Sequence, residues 1–365
     1  MPQPAPANER DRPGVLVVAS ALPAAVDQQE VASLTARLVP QLDPDRVRAI
    51  FTNSGIRHRH LAMPLEWYGH LHVPQERQRL AAEQAVTLGA EAARRALVRA
   101  GVEPAEVDAV VTVSSTVIRA PGIEAALVEA LGLRPDVRRL PVGGLASLGG
   151  AAGLALAADL ASVSAGTVLL VAVEVNSVAF VPGEAPLEMA VSMALFSDGA
   201  AAVVVAGGGS RLRVLGRHST LVPSSATVMG FEVVDEGLRW RLAPEVPEVA
   251  ARHTRTSVEA ALTTVGWSLT DLDHVLIHPG GAKVLDAVAE VLDLPVSAME
   301  WSWEAMRDHG NVSSVTVLLV LEHFLAACPA PGRGLLTAMG PGFGYEHVLF
   351  ELGPPADRPS GPAGS

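Results

Sequence analysis

The feature that most constrains this chain is a repeat. The run Ala100-Gly101-Val102-Glu103-Pro104-Ala105-Glu106-Val107-Asp108-Ala109-Val110 returns, without a gap, as Val265-Gly266-Trp267-Ser268-Leu269-Thr270-Asp271-Leu272-Asp273-His274-Val275, with Gly101 and Gly266 165 positions apart. Each copy follows a helical pattern (92–99 and 258–264) and leads into an apolar run, Val110-Val111-Thr112-Val113 or Val275-Leu276-Ile277. The pattern reads as helix, glycine stop, short loop, buried strand. A second pair of apolar runs, 168–173 and 335–339, extends the echo, and each leads to a later one, 201–205 and 348–352. Such a period is far too long for a solenoid. It predicts an α/β chain of two related halves, with continuous apolar strands covered by helices on both faces.

The boundaries follow. Residues 1–12 and 353–365 are rich in Pro and Gly and are expected to be disordered. We place one half at 13–210 and the other at 211–352, with no linker between them.

Composition excludes several classes of function. The 365 residues are 49% hydrophobic and 18% charged, yet no stretch reaches the roughly 20 apolar residues of a membrane span. The first residues lack the basic-then-apolar order of a signal peptide, so a cytoplasmic protein is expected. A net charge of −12 argues against nucleic acid and anionic membrane as partners. The single cysteine, Cys328, rules out an internal disulfide and reads as a small buried helix-end residue. The pairs His58/His60 and His70/His72 would have to converge to bind a metal, so no metal site is expected.

Three positions carry chemistry. Ser147 precedes a run of small residues, 149–158, that reads as a close-packed central helix. A nucleophile there gains from the helix dipole and the free N–H groups, though a serine hydroxyl also needs a base during attack. A small polar residue closing a Gly-rich turn is the bland alternative. His278 ends a buried strand and opens a Pro-Gly-Gly turn, where it could act as base or merely cap the backbone. Asn311 lies in Gly310-Asn311-Val312-Ser313-Ser314, ahead of an apolar helix. It could donate to an oxyanion or enolate without titrating, or serve as an N-cap.

Nucleophile, histidine and asparagine in this order, with these surroundings, resemble the site of type III polyketide synthases, the chalcone-synthase-like branch of the thiolase superfamily. The resemblance runs from about residue 15 to 352. In that family the nucleophile is a cysteine; here the expected Gly-Cys-Ala-like triplet is Ala146-Ser147-Leu148. The resemblance implies a thiolase-like fold, two related α/β halves in a layered αβαβα arrangement, and a homodimer. It also implies that His278 and Asn311 bind a malonyl thioester carbonyl and stabilise the enolate formed by decarboxylation. Met339-Gly340-Pro341-Gly342-Phe343-Gly344 is similar to the family's Gly-Phe-Gly-Pro-Gly loop, which places Gly340, Pro341 and Gly342 at the substrate. Phe180 and Trp240 match the regions of two gatekeeper rings, with ordinary core the other reading of both. The basic segment 45–60 lies, by resemblance, near the entrance for coenzyme A or a phosphopantetheine arm. No tightly bound cofactor is implied, because the thioester is the substrate.

The expected function is therefore acyl transfer or ketosynthase chemistry on acyl thioesters, from coenzyme A or an acyl carrier protein, through Ser147, His278 and Asn311. Two alternatives stay open. One is a malonyl-thioester decarboxylase or cyclisation catalyst that uses His278 and Asn311 without a covalent intermediate. The other is a non-catalytic partner subunit of another synthase.

Overall fold

The computed structural model describes residues 12–164, 166–181 and 186–354. The expected disorder of both ends falls largely outside these residues. Thirteen strands and ten helices are present among them: β1 (Pro13–Ala21), β2 (Ala25–Asp27), α1 (Gln28–Leu38), α2 (Pro44–Asn53), β3 (His58–His60), α3 (Pro74–Ala100), β4 (Val107–Val113), α4 (Ile123–Leu131), β5 (Arg138–Val142), α5 (Gly149–Ser164), β6 (Thr167–Val175), α6 (Pro186–Leu195), β7 (Asp198–Gly207), β8 (Leu212–Leu221), β9 (Met229–Val234), β10 (Gly237–Leu242), α7 (Val246–Thr263), β11 (His274–Ile277), α8 (Ala282–Val291), α9 (Glu300–His309), α10 (Thr316–Ala326), β12 (Gly332–Gly340) and β13 (Gly344–Leu352).

The repeat is real down to single hydrogen bonds. Helix α3 stops at Gly101, whose φ is 66°, and α7 stops just before Gly266, whose φ is 72°. After each glycine the next N–H closes back on the helix, Val102 on the Leu97 carbonyl and Trp267 on the Leu262 carbonyl, both at 3.0 Å. This satisfies carbonyls that a helix end would leave bare. Each loop then makes a capping box, with Glu106 accepting from Glu103 N–H and Asp271 from Ser268 N–H, both at 2.8 Å. Asp108 and Asp273 in turn accept from the N–H of Thr167 (2.9 Å) and Arg333 (2.8 Å), where β6 and β12 begin.

The sheet has the same doubling. Its order is β11-β12-β13-β8-β1-β7-β6-β4-β5. In the first half β4 runs parallel to β6, while β7 and β1 follow antiparallel. In the second half β11 runs parallel to β12, while β13 and β8 follow antiparallel. The halves join where β1 meets β8, at Gly14 and Val15. Strand β5 extends the first half only.

Three apolar clusters give the layers. One packs the outer face of the first half under α1, α3 and α4. Another packs the outer face of the second half under α7 and α8. Between them, α5 and α10 share a core with the inner faces of both halves, through residues such as Val113, Leu170, Leu336 and Phe350. This is the layered αβαβα arrangement. Over residues 149–158 helix α5 is apolar on every side because it is covered there, whereas its last turn, with Val163, is exposed. Together with the short turn before it, Ala146–Ser164 is long and apolar enough to cross a bilayer, but it is this central, mostly buried helix. Gly150 makes the layer possible, since a Cβ there would lie 2.1 Å from the Ser314 carbonyl oxygen. Cys328 departs from expectation. It is exposed, with φ 49°, because α10 ends at Ala326 and the chain turns out to solvent.

Candidate active site

Ser147 sits in a single 3-10 turn, Ala146–Leu148, that feeds directly into α5. The residue before it is forced: Ala146 has φ 42°, a left-handed conformation that costs of order 1–3 kcal/mol for a residue with a side chain. The turn is braced from the segment after β4, because Ala146 N–H donates to Ser115 Oγ at 2.8 Å. From the other half, Gly340 presses on the turn so closely that a Cβ there would lie 3.1 Å from Leu148 N. The Gly340-Pro341-Gly342 loop thus does reach the Ser147 turn, and the bulk of Leu148 packs against it.

His278 follows β11, its N–H donating to the Thr337 carbonyl of β12 at 2.8 Å. The ring is buried, 1% exposed, and neither Nδ1 nor Nε2 has a hydrogen-bond partner. Burial alone drives its pKa down from 6.5 to about 3, so the ring is neutral. A backbone-capping histidine would have used at least one nitrogen.

Asn311 meets the His278 turn: its Nδ2 donates to the Gly280 carbonyl at 3.3 Å. Its Oδ1 accepts from Ser313 N–H at 2.8 Å, a local turn bond just ahead of the helical turn that Val312 caps, so Asn311 is not itself the N-cap. Its backbone is pinned on both sides, donating to Leu195 O (2.8 Å) and accepting from Ser197 N–H (2.9 Å). Ser314, three residues on, borders Gly149 at the start of α5. The three positions therefore belong to one neighbourhood: β12 touches both the Ser147 turn and His278, and the 311–315 turn joins Asn311 to α5.

Two residues that the sequence reading did not single out stand out here. Glu174, at the end of β6, is fully buried. Its carboxylate accepts from Ser115 N–H (3.1 Å), Thr116 N–H (3.1 Å), Thr116 Oγ1 (2.8 Å) and Ser314 Oγ (2.8 Å). Burial pushes its pKa up to about 7, against the pull of these bonds. The available signal was a lone charge inside an apolar strand run. The other is Phe196, whose ring stacks on Trp240 with centroids 4.4 Å apart, and whose backbone bridges to Asn311. The ring facing Trp240 is thus Phe196. Phe180 is buried beside Tyr68, 6.0 Å between centroids, and its carbonyl accepts from Arg77 Nη1 at 3.1 Å. The basic segment also divides. Arg46, Arg57 and His58 are exposed, whereas Arg59 and His60 turn inward, Arg59 donating to the Phe196 carbonyl at 2.7 Å. The His-x-His pairs do not converge: His60 bonds Pro23 and His309, and His72 bonds Trp67 and Glu76.

Residues 12–209 match the model of the chalcone and stilbene synthases, N-terminal domain, and residues 214–352 match the C-terminal domain. The chain belongs to this family, the type III polyketide synthases. It is 37% identical over 334 residues to 1,3,6,8-tetrahydroxynaphthalene synthase of Streptomyces peucetius subsp. caesius, covering 88% of each chain. It is 31% identical over 322 residues to 3,5-dihydroxyphenylacetyl-CoA synthase of Streptomyces toyocaensis, covering 84% of this chain and 82% of that one. The crystal structure of 1,3,6,8-tetrahydroxynaphthalene synthase from Streptomyces coelicolor A3(2) superimposes with a TM-score of 0.88, over 93% of this chain and 99% of that one. At 24% identity this last likeness speaks for the fold, which is thiolase-like.

Proposed function

We propose that this chain is a type III polyketide synthase-like acyltransferase or ketosynthase that works on acyl thioesters through Ser147, His278 and Asn311. One observation carries the reading: a buried, neutral histidine with both ring nitrogens unpaired. An unpaired buried polar group costs about 1–3 kcal/mol, which a fold retains where a ligand supplies the missing bond. In this reading the half spanning 13–210 presents the nucleophile, and 211–352 presents the base and the amide.

Ser147 Oγ attacks the thioester carbonyl while His278 takes its proton. The oxyanion forms near the start of α5, whose N–H groups and dipole favour negative charge. Collapse breaks the carbon–sulfur bond, and the proton on His278 passes to the departing thiolate. In the condensing step His278 and the free N–H of Asn311 Nδ2 hold the malonyl thioester carbonyl. Loss of carbon dioxide leaves an enolate whose carbon attacks the acyl-serine; the ester carbon–oxygen bond then breaks, and the departing Ser147 alkoxide takes a proton from water. An oxygen ester is a poorer donor to carbon than a thioester, so serine slows this step relative to transfer to an alcohol, an amine or water. The Phe196–Trp240 stack narrows the approach. The donor is coenzyme A or a carrier-protein phosphopantetheine arm met by the exposed Arg46, Arg57 and His58. We place the enzyme in the cytoplasm as a homodimer; the open edge of β5 and the exposed Leu71, Val73 and Ile118 are the surfaces that favour pairing.

The test is intact-protein mass after incubation with a panel of acyl-coenzyme A and acyl-carrier thioesters, with and without malonyl-coenzyme A. The expected result is an acyl-sized gain that Ser147→Ala abolishes. No gain, with malonyl-coenzyme A still decarboxylated, would replace this reading by enolate chemistry at His278 and Asn311. Neither signal would leave the non-catalytic partner subunit.

A further inference from the structure

Three histidines far apart in sequence meet behind Asn311. His60 Nδ1 lies 2.7 Å from the Pro23 carbonyl oxygen. His60 Nε2 lies 3.1 Å from His309 Nδ1, and His309 Nε2 lies 3.2 Å from His323 Nε2. They come from β3, the last residue of α9, and α10. His309 stands two residues before Asn311, across Gly310, whose φ is 69°. The backbone of His60 also reaches that neighbourhood, its N–H donating to Ser197 Oγ at 3.1 Å.

Elementary valence orders this chain. A carbonyl oxygen can only accept, so His60 Nδ1 carries the hydrogen. A neutral imidazole has one N–H, so His60 Nε2 must accept, and His309 Nδ1 must donate to it. By the same step His309 Nε2 accepts and His323 Nε2 donates. The chain then ends on His323 Nδ1, a lone pair with no hydrogen-bond partner, 4.0 Å from Glu304 Oε2. Lone pair faces carboxylate there, and a proton on His323 Nδ1 would turn that repulsion into an ion pair.

We propose that His60, His309 and His323 form a one-way hydrogen-bond chain that positions the Gly310–Asn311 turn and takes up one proton, at its His323 end. An added proton can hop inward without breaking a bond, but the inner positions are worse for charge. His60 is 7% exposed, against 25% for the His323 side chain. Burial holds both inner rings below the ordinary histidine value, His309 at about 4. The other charged groups facing the chain agree. His58 on β3 lowers both inner rings. Asp308 favours charge on His309 but is held by Arg307 at 3.0 Å, and the Arg57 charge also acts on Asp308. Glu322, beside His323 on α10, is held by Arg99 at 3.1 Å. A second proton has no acceptor left and must break a histidine–histidine contact. The turn is therefore fixed near neutral pH and released in acid. The competing arrangement is a charged His60 that donates to both the Pro23 and Asp308 carbonyls, which lie within its reach.

The experiment is long-range nitrogen–proton NMR of the full chain with labelled histidine and asparagine, resonances assigned from His323→Gln and His309→Gln. At pH 8, His60 and His309 should be Nδ1–H tautomers and His323 the Nε2–H tautomer. On acidification His323 should be the first of the three to carry two protons. An Nε2–H tautomer on either inner ring, or His60 charging first, would overturn the proposal. The positioning claim has its own readout. His323→Leu removes the outer link and should raise the exchange rate of the Asn311 backbone amide at least tenfold, with His323→Gln, which can still donate to His309, restoring it. Unchanged exchange in folded His323→Leu would overturn the positioning role. Only the consequence for catalysis rests on the proposed function; tautomers and exchange stand if no thioester is ever turned over.

Discussion

Glu174 and His278 are both ionisable, both at strand ends, both buried from water, and opposite in every other respect. Four groups donate to Glu174, and those bonds tie Ser115 and Thr116 of the first half to Ser314 of the second. Nothing donates to or accepts from the His278 ring. A buried polar group with all its partners supports the structure around it, while one with none is kept at a cost, as if in reserve for something that binds. The difference distinguishes a brace from a group held in reserve, and it can be broken by experiment.

The largest expected effect is on turnover. His278→Asn should lower the acyl-transfer or condensation rate by about 10²–10⁴-fold, the usual worth of a positioned base. Its free energy of unfolding in urea at neutral pH should stay within about 1 kcal/mol of the parent, because no hydrogen bond is lost. A stability loss comparable to the rate loss would show that the histidine is scaffold after all. Glu174→Ala should behave in the reverse way. It strands two backbone N–H groups and two hydroxyls, so unfolding by urea should show a loss of about 2–4 kcal/mol. Glu174→Gln, whose single amide oxygen can still accept from the 115–116 donors while its NH2 donates to the Ser314 hydroxyl, should recover much of it. If the alanine variant is as stable as the parent, the carboxylate is not a brace.

The contrast was half legible in the sequence. His278 stands out because a histidine closes an apolar run and opens Pro-Gly-Gly, and the repeat told which strand it ends. Both halves of the fold could be read for the same reason: Gly101 and Gly266, each with its capping loop and Asp, are local signals that needed no tertiary knowledge. Glu174 gave only one charge in an apolar run, and its four partners come from residues 115, 116 and 314, which only the folded sheet brings together. Phe196 was missed for the same reason. Its partner Trp240 sits on the β9–β10 hairpin, and the pairing of two rings 44 residues apart leaves no periodicity to detect. Phe180 drew attention instead because the family resemblance puts a gatekeeper ring in that region, yet the fold turns it toward Tyr68.

Acid should sharpen the same comparison, at an intermediate size. The folded pKa of His278, about 3, lies below its unfolded value of 6.5, so the unfolded chain binds the extra proton between them. Its share of stability is full above pH 6.5 and falls as pH drops toward 3. The folded pKa of Glu174, about 7, lies above its unfolded 4.5. The folded chain then binds the extra proton, and stability from this group is lost as pH rises through 7. The two slopes oppose each other. Relative to the parent, His278→Asn should gain about 2 kcal/mol between pH 6.5 and 5, and Glu174→Gln should show the opposite slope between 7 and 5. Denaturant titrations at four pH values decide it, and difference profiles of equal sign would mean that one of the two groups is not buried as described.

The smallest effect tests whether the aromatic stack belongs with the scaffold or with the site. Trp240 is 7% exposed, its Nε1 has no hydrogen-bond partner, and it packs face to face on Phe196 and edge-on to Phe231, 5.5 Å away. By the logic of Glu174 a scaffold ring would have its donor satisfied; by the logic of His278 the bare N–H marks a place where something polar arrives. Trp240→Phe deletes the N–H and keeps most of the stack, so it should cost less than about 1.5 kcal/mol. If the stack lines the approach to Ser147, the same variant should admit bulkier acyl thioesters, seen as new adduct masses on Ser147, while the rate with the preferred donor changes little. If the acyl panel is unchanged and stability falls by more than that, Trp240 joins Glu174 on the structural side, and the approach to Ser147 lies elsewhere along the Gly340–Gly342 loop.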